Sequence, residues 1–218
     1  MIQMTNLIEF DKTNKTEEYL IGTDEAGRGP AAGPVFAAAV CFVKEPSGIL
    51  LTLNDSKQLT EKKREELFDE IIKNSIYSIQ YSSVEDIENM NILNASLNAM
   101  NMACLDVISK LNNNNVEIFV DGNKLIKNFK YKQKFIIKGD SKSASIAAAS
   151  ILAKVSRDRL MKELDKDFPQ YKWIKNKGYL SKAHIEAIKE YGTTIHHRRL
   201  FLRKILAENS PTQLSLIQ

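Results

Sequence analysis

Two acids, two glycines and an arginine lie within a few residues of one another, directly after a strand-like run. Asp24 and Glu25 carry carboxylate oxygens, the ligands that hard divalent cations such as Mg²⁺ and Mn²⁺ prefer. Arg28 stands between Gly27 and Gly29, where a flexible backbone can bring the guanidinium and nearby amides close to a phosphodiester. Acidic pairs are common on surfaces and Gly-x-Gly is often only a turn. The combination is more specific and indicates a metal-and-phosphate site.

Two further acids follow strand-like runs elsewhere in the chain. Asp121 ends the apolar run at 116–120, and Asp140 comes shortly after 135–137. Open α/β sheets place their ligand sites at the carboxyl ends of strands, so these acids could converge with Asp24 and Glu25. Taken singly, Asp121 could be a turn-forming Asp-Gly and Asp140 a helix N-cap. Since neighbouring residues of a regular strand point to opposite faces, Asp24 and Glu25 can share an ion only if the backbone departs from strand geometry.

The elements that must position these acids can be predicted from hydrophobic periodicity. Strand-like patterns occupy five segments, namely 19–23, 35–43, 76–81, 116–120 and 135–137. Helical spacing predicts four main helices, at 60–74, 83–111, 143–168 and 198–208. A hairpin-like series of strands followed by alternating strands and helices indicates an α/β protein with a mixed sheet. The alanine-rich helix at 143–168 should lie close to that sheet because its side chains are small.

Length and composition favour one large domain. The chain has 218 residues and a formal net charge of +4. We expect one domain over 1–208 with a loose N-terminal arm (1–18) and a helical C-terminal part (about 181–208), followed by a flexible tail (209–218). The longest apolar run, at 35–43, is too short to span a membrane and no secretion signal is visible, so we expect a soluble cytoplasmic monomer. Cys41 and Cys104 match no metal-ligand spacing and are expected to be packed, reduced thiols.

Basic residues crowd at 124–142 and at 196–204. Such runs are compatible with a polyanionic partner, although they are also typical of solvated faces. The three histidines, His184, His196 and His197, have no zinc spacing. We assign none of them to catalysis and interpret the run from His196 to Arg199 as a nucleic-acid backbone contact.

The segment Gly22-Thr23-Asp24-Glu25-Ala26-Gly27-Arg28-Gly29-Pro30 and its continuation to 35 closely resemble the opening signature of the type 2 ribonucleases H, specifically bacterial ribonuclease HII. The resemblance continues in order through further motifs, at 53–59, 120–123, 138–141, 147–154, 157–158, 177–179 and 197–199. It implies a ribonuclease H-like fold with a central mixed five-stranded sheet flanked by helices and a helical C-terminal extension.

The resemblance also implies an activity, which is endonucleolytic hydrolysis of the RNA strand of RNA–DNA hybrids and nicking 5′ of single ribonucleotides in duplex DNA. Asp24, Glu25, Asp121 and Asp140 would hold two Mg²⁺ or Mn²⁺ ions in the substrate complex. One ion would lower the pKa of an attacking water and the other would stabilise the departing 3′ oxygen, giving 5′-phosphate and 3′-hydroxyl ends. We expect a metal-poor resting site that fills when substrate phosphate arrives.

The sugar reader implied by the resemblance consists of Gly27, Arg28 and Gly29 together with Tyr179. Only the 2′-OH distinguishes ribose from deoxyribose, so a ribonuclease must contact that group. The Tyr179 ring would pack on the sugar after the ribonucleotide and sense an RNA-to-DNA junction; otherwise it is an ordinary half-buried tyrosine. Ser181 stands where the family often has threonine, which preserves a hydroxyl. Ser56 and Lys57 are expected on a loop near the nucleic acid, positioning phosphate or, alternatively, leading into a helix.

The C-terminal pentapeptide resembles bacterial sliding-clamp-binding peptides, with Ile217 in place of the usual final aromatic residue; it comprises Gln213, Leu214, Ser215, Leu216 and Ile217. The alternative is a frayed tail.

Three other classes of protein compete with the leading hypothesis. A noncatalytic nucleic-acid-binding protein would have no reason to place acids beside phosphate. A junction resolvase or transposase would share the acids but lack the sugar reader. The early position of Asp24 disfavours ribonuclease HIII, which typically carries an extra N-terminal substrate-binding domain.

Overall fold

The computed structural model describes residues 5–208, and its centre is a mixed sheet of five strands. The strands are β1 (Tyr19–Ala26), β2 (Val35–Cys41), β3 (Ile76–Ser82), β4 (Val116–Asp121) and β5 (Lys132–Ile136). They lie in the order β3-β2-β1-β4-β5. The β1–β2 and β2–β3 pairs are antiparallel, whereas β4 is parallel to both β1 and β5. The predicted mixed sheet is confirmed; its fifth strand begins and ends earlier than 135–137.

Eight helices of the described residues surround this sheet: α1 (Thr5–Asn14), α2 (Glu61–Asn74), α3 (Val84–Met90), α4 (Ile92–Leu111), α5 (Ala144–Asp167), α6 (Trp173–Asn176), α7 (Lys182–Tyr191) and α8 (Arg199–Glu208). The helix expected over 83–111 is two helices, because Asn91 adopts a φ of 67° between α3 and α4. Asparagine tolerates this left-handed backbone better than most residues, and its side chain also accepts a hydrogen bond from the Asn94 amide.

Side chains along each strand point alternately to the two faces of the sheet, so the core has two layers. Ile21, Ala37 and Ile118 pack with α4 on one face of the sheet. Ala38 and Val40 pack with α5 and α2 on the other face. Alternate residues of a strand point to the same face of the sheet. Asp24 and Asp121 therefore lie on the face covered by α5, as Leu20 and Phe119 do, whereas Glu25 lies on the opposite face. The sheet therefore brings two of the four acids to the same face.

Helix α5 crosses β1 at Gly22, where the two backbones touch. A Cβ added at Gly22 would lie 2.2 Å from the backbone carbon of Ser145, so no larger residue fits there. This confirms that the alanine-rich helix lies directly on the sheet.

In the described part of the segment before β1, residues 5–14 form helix α1 and are not a loose arm. Leu7, Ile8 and Asp11 of α1 are buried, and Asp11 Oδ2 accepts hydrogen bonds from the Ser145 amide (2.8 Å) and hydroxyl (2.9 Å). The prediction was wrong because the apolar residues of this short polar helix are too few to show a helical period, and its burial depends on contacts with the distant helix α5.

Cys41 and Cys104 are buried free thiols, as expected. Within residues 5–208 we find no helix with the length and apolar character needed to cross a membrane. The clamp-like peptide at 213–217 lies outside the described residues.

Candidate active site

Asp24 and Glu25 lie near the carboxyl end of β1, which continues to Ala26. The backbone therefore keeps strand geometry at the two acids, and the first left-handed residue is Gly27, with φ 99°. Asp24 is buried and its Oδ1 accepts a hydrogen bond from the Glu25 amide at 2.7 Å. Glu25 reaches the same cleft from the other face and lies 3.2 Å from Arg28 Nη1.

Asp121 is the last residue of β4, so the topology places it beside the end of β1. Its Oδ1 accepts a hydrogen bond from the Gly139 amide at 2.6 Å, which joins the end of β4 to the turn after β5. Gly122 has a φ of 96°, as expected for an Asp-Gly turn. Asp121 therefore begins an Asp-Gly turn and also lines the cleft, so the two interpretations of this residue are compatible.

Asp140 is buried in a short 3₁₀ turn, Gly139–Ser141. The N-cap of α5 is Ser143, whose hydroxyl accepts a hydrogen bond from the Ile146 amide, so the alternative reading of Asp140 as that cap is wrong. Asp140 Oδ2 lies 3.5 Å from Lys57 Nζ, beside the cleft that the other acids line.

Burial and, to a smaller extent, crowding raise the pKa values of three of the acids. Burial raises the pKa of Asp24 well above its usual range, and the charges of Glu25 and Asp121 add to this effect. The pKa values of Glu25 and Asp140 are also raised, mainly by burial, although Arg28 opposes the rise at Glu25 and Lys57 opposes it at Asp140. Such mutual repulsion is the condition that a bound divalent cation relieves.

The acids are near one another but are not arranged as a complete metal site. Among residues 5–208, no three aspartate, glutamate, histidine or cysteine side chains are placed so that they could hold one ion. The carboxylates instead contact Arg28, Lys57 and the Gly139 amide. The donor set, made only of carboxylate oxygens, suits a hard cation, and these contacts would have to be exchanged for it.

Gly27, Arg28 and Gly29 line one wall of the cleft, with Tyr179 beside them. A Cβ added at Gly29 would lie 3.2 Å from Tyr179 Cε1, so the loop and the half-exposed ring are neighbours. The cleft, about 320 Å³ in volume, therefore joins three of the acids to all four residues of the predicted sugar reader. Ser181 is the N-cap of α7, and its hydroxyl accepts a hydrogen bond from the His184 amide.

Ser56 and Lys57 also line the cleft. The Ser56 hydroxyl is buried and bonds to the Ser150 hydroxyl at 2.9 Å, whereas the Lys57 side chain is exposed. Burial opposes the charge of Lys57, but Asp140, Asp55 and Asp24 around it raise its pKa. Thr60 is the N-cap of α2, so neither residue caps that helix, but both precede it and Ser56 O accepts a hydrogen bond from Arg64 Nη1 of α2 at 2.8 Å.

Three residues of α5 that were given no role also line the cleft, namely Ser150, Lys154 and Arg157. The Ser150 hydroxyl opposes the rise that burial causes in the pKa of Asp24, and Lys154 Nζ lies 2.8 Å from Asp158 Oδ1. The positions i, i+4 and i+7 place all three on one helix face. That spacing is visible in the sequence and could have identified them.

The interpretation of the run from His196 to Arg199 as a backbone contact is wrong for His197 and Arg198. Both side chains are buried, at 2% and 0% exposure. A basic run lies on the surface only if its side chains find no hydrogen-bond partners inside the protein. Here His184 is such a partner for His197, and the Gly33 carbonyl is one for Arg198.

Residues 21–204 match the family model described as ribonuclease HII. The chain belongs to the ribonuclease HII family. It is 55% identical over 188 residues to a ribonuclease HII from Fusobacterium nucleatum, covering 86% of this chain and 87% of that one. A ribonuclease HII from Caldicellulosiruptor bescii is 49% identical over 201 residues, covering 92% and 94% of the two chains.

A crystal structure of ribonuclease H2 from Pyrococcus horikoshii matches with a TM-score of 0.69 and 29% identity, over 88% of this chain and 98% of that chain. A second neighbour is the ribonuclease HII of a PCNA complex from Archaeoglobus fulgidus, with a TM-score of 0.66 and 27% identity over 82% and 93%. The fold is therefore ribonuclease H-like, and the chain, as a member of this family, is an endonuclease acting on RNA–DNA hybrids.

Proposed function

We propose that this enzyme nicks duplex DNA 5′ of single embedded ribonucleotides as well as cutting long hybrids, leaving 5′-phosphate and 3′-hydroxyl ends. The observation that carries the proposal is the cleft in which Asp24, Glu25 and Asp121 face the Gly27 to Gly29 loop and Tyr179. Carboxylates beside a loop that can hold a phosphate and a ribose are the parts that such a reaction needs.

Asp24, Glu25, Asp121 and Asp140 would hold Mg²⁺ or Mn²⁺, with two ions in the substrate complex. Bound there, the metal supplies an activated water and stabilises charge on the leaving oxygen. The protein prepares for this by burying the acids, whose mutual repulsion favours cation uptake. Before the metal binds, Arg28 and Lys57 neutralise part of the negative charge of Glu25 and Asp140. Once the metal is bound, the two cations would contact the substrate phosphate.

The loop and the tyrosine supply the specificity. Backbone groups of Gly27 and Gly29 are proposed to contact the ribose 2′-OH, and Arg28 to hold the adjacent phosphate. The Tyr179 ring, beside Gly29, would pack against the next sugar. Ser56 supports Ser150 behind Asp24, and Lys57 would position phosphate.

The decisive experiment uses duplex DNA with one ribonucleotide, an all-DNA duplex, and Mg²⁺, Mn²⁺ or chelator. We expect a metal-dependent nick 5′ of the ribonucleotide and none in the all-DNA duplex. Asp121→Asn keeps an oxygen for the Gly139 amide and so should fold, but the loss of several kcal/mol of transition-state stabilisation should slow cutting about a hundredfold or more.

The control is Asp106→Asn, which removes a carboxylate of α4 whose partner is Lys110 and should leave the rate unchanged. Undiminished turnover by Asp121→Asn would exclude its metal role. Equal cutting of the all-DNA duplex would exclude the 2′-OH reader.

We also propose that residues 213–217 bind a sliding clamp. Support comes from the resemblance of this peptide to clamp-binding peptides and from the neighbour whose structure is a complex with PCNA.

A further inference from the structure

Two buried arginines lie behind the substrate loop. Arg157 and Arg198 are 1% and 0% exposed. Among residues 5–208 neither guanidinium has a carboxylate within 4.0 Å, so these are buried charges compensated by something other than ion pairing. A buried cation without any partner would cost several kcal/mol, which makes the identity of its partners informative.

The partners of Arg198 are four carbonyls of the loop. Nη2 donates to Gly27 O (2.7 Å), Nη1 to Pro30 O (2.8 Å) and Arg28 O (3.2 Å), and Nε to Gly33 O (2.8 Å). One planar guanidinium thus contacts the loop at both ends and in the middle. Lysine has a single nitrogen and cannot reproduce this set.

These contacts determine which way the peptide groups face. The peptide bonds of the described residues are trans, so each N–H points away from the carbonyl of the same peptide unit. Because the carbonyls of Gly27 and Arg28 point inward at Arg198, the amides of Arg28 and Gly29 point away from it, and all three residues of the loop line the cleft. Within residues 5–208 neither amide donates a hydrogen bond. Successive outward amides of this kind make an anion-binding concavity.

Arg157 connects the same loop to the segment that carries Tyr179. It donates to Ala32 O (2.9 Å), Pro34 O (3.2 Å) and Lys177 O (3.0 Å). Its guanidinium lies directly beneath Gly27, where an added Cβ would come within 2.1 Å of Arg157 Nε. The absence of a side chain at Gly27 therefore makes room for an interior arginine, in addition to any approach by the sugar.

Both guanidinium groups stay charged at neutral pH. Burial lowers the pKa of Arg157 to about 10 and that of Arg198 to about 9, and both values remain well above 7. Two fixed positive charges thus lie behind the wall that faces the phosphate, opposite the acids.

We infer that Arg198 and Arg157 are positioning residues. They hold the Arg28 and Gly29 amides toward the substrate phosphate and fix the position of the loop relative to Tyr179. This inference rests on the proposed function and deepens it. Their proposed role is exerted through the backbone carbonyls that they bond, although Arg157 also lines the cleft.

The test compares Arg198→Lys with Arg159→Lys, measured as kcat and KM on duplex DNA containing one ribonucleotide. Arg159 lies on α5 two residues from Arg157, pairs with Glu65 and serves as the matched control. Arg198→Lys keeps the charge but loses most of the carbonyl contacts, so we expect KM to rise about tenfold with kcat changing less, as for a lost substrate-positioning contact. A general folding defect would instead reduce the active fraction and hence kcat. Arg159→Lys should behave as wild type.

A folded Arg198→Lys enzyme with a wild-type KM would overturn the inference while leaving the proposed function intact. Failure of the wild-type enzyme to cut this substrate would instead refute the proposed function. If Arg198→Lys does not fold, the Asp121→Asn protein decides the question by NMR. Its Arg28 and Gly29 amide resonances must shift when the ribonucleotide duplex is added, and unchanged resonances would refute the orientation.

Discussion

At the scale of single residues, Gly27 and Gly29 are two positions apart but serve opposite sides of the loop. The space for a Cβ at Gly27 is occupied by Arg157 from the interior, and Gly27 has a φ of 99°. The space at Gly29 is bounded by Tyr179 in the cleft. The same substitution should therefore damage stability at one position and specificity at the other.

We predict that Gly29→Ala folds but loses selectivity. The Tyr179 ring is 51% exposed and can move by a few tenths of an ångström, which should disturb its contact with the sugar after the ribonucleotide. The ratio of kcat/KM on a single ribonucleotide to that on a long hybrid should fall severalfold. A ratio equal to that of wild type would argue against Tyr179 as the junction sensor.

Gly27→Ala is the same substitution on the interior side of the loop. It should destabilise the fold and lower the urea concentration at the midpoint of unfolding, because the added Cβ clashes with Arg157. Its control is Gly48→Ala, because Gly48 also has a positive φ (60°) but nothing lies within 4 Å of the added Cβ. Gly48→Ala should cost only the backbone strain of about 1–2 kcal/mol, and Gly27→Ala should cost more. Equal losses would show that the Arg157 contact carries no weight.

The sequence predicted the chemistry of individual residues better than their contacts. The acids could be identified because each lies near the carboxyl end of a strand-like segment, and topology brings strand ends together. Their present partners, Arg28, Lys57 and the Gly139 amide, depend on side-chain conformations that no periodicity encodes. Arg198 was misassigned to the surface because a buried charge can be recognised only once its carbonyl partners are known.

At the scale of elements, segments with a clear apolar pattern were predicted closely, even the six-residue strand β4, whereas a short polar helix was missed. Helix α5 shows its period in the sequence and β2 is a continuous apolar run, but α1 is too short and polar to show either pattern. The break between α3 and α4 arises at one residue, Asn91, in the middle of a continuous apolar pattern. Such a break follows from local backbone conformation, which the helical spacing on either side does not reveal.

A buried histidine network joins α7 to the segment before α8. His184 Nε2 accepts from Trp173 Nε1 (3.1 Å), because an indole can only donate, so His184 carries its proton on Nδ1 and donates it to Tyr179 O (2.9 Å). His197 Nδ1 accepts from the Thr194 amide (3.0 Å), so its Nε2 carries the proton and donates to His184 Nε2 (3.1 Å). A second proton on His197 Nδ1 would face the Thr194 amide, and one on His184 Nε2 would face the Trp173 indole N–H, so these two donors favour neutral rings.

We predict that this network makes the fold sensitive to acid. Burial lowers the pKa of His197 from 6.5 to about 4, with His184 and His196 adding to the effect. Between these pH values the unfolded chain binds a proton that the folded chain does not, so stability is present above 6.5 and is lost as pH falls toward 4.

The contribution of His197 to the slope should approach about 1.4 kcal/mol per pH unit, and His197→Asn should flatten the profile by that contribution. The measurement is the free energy of unfolding in urea from pH 4 to 7 for both proteins. Parallel profiles would show that His197 is not held neutral by the fold.

At the scale of the whole molecule, family membership and the cleft together exclude the competing classes. A noncatalytic binder does not account for three acids crowded in the cleft where we propose that the phosphate binds. A resolvase or transposase does not account for the loop beside Tyr179. The chain matches the ribonuclease HII family over 184 residues, from 21 to 204, which covers the sheet and the helices that carry the site.

The tail beyond this matched region is the part of the molecule with a separate proposed role. The family match ends at 204, and the clamp-like peptide at 213–217 follows it, so binding through the peptide need not disturb the cleft. We predict that deletion of residues 210–218 leaves hydrolysis of a ribonucleotide-containing duplex unchanged and abolishes binding to the bacterial sliding clamp.

Ile217→Phe, which restores the usual aromatic side chain, should tighten binding because a larger apolar group fills the clamp pocket. Surface plasmon resonance with immobilised clamp measures both effects, with a tail of scrambled sequence as the control. Clamp affinity that survives the deletion would place the contact elsewhere on the enzyme.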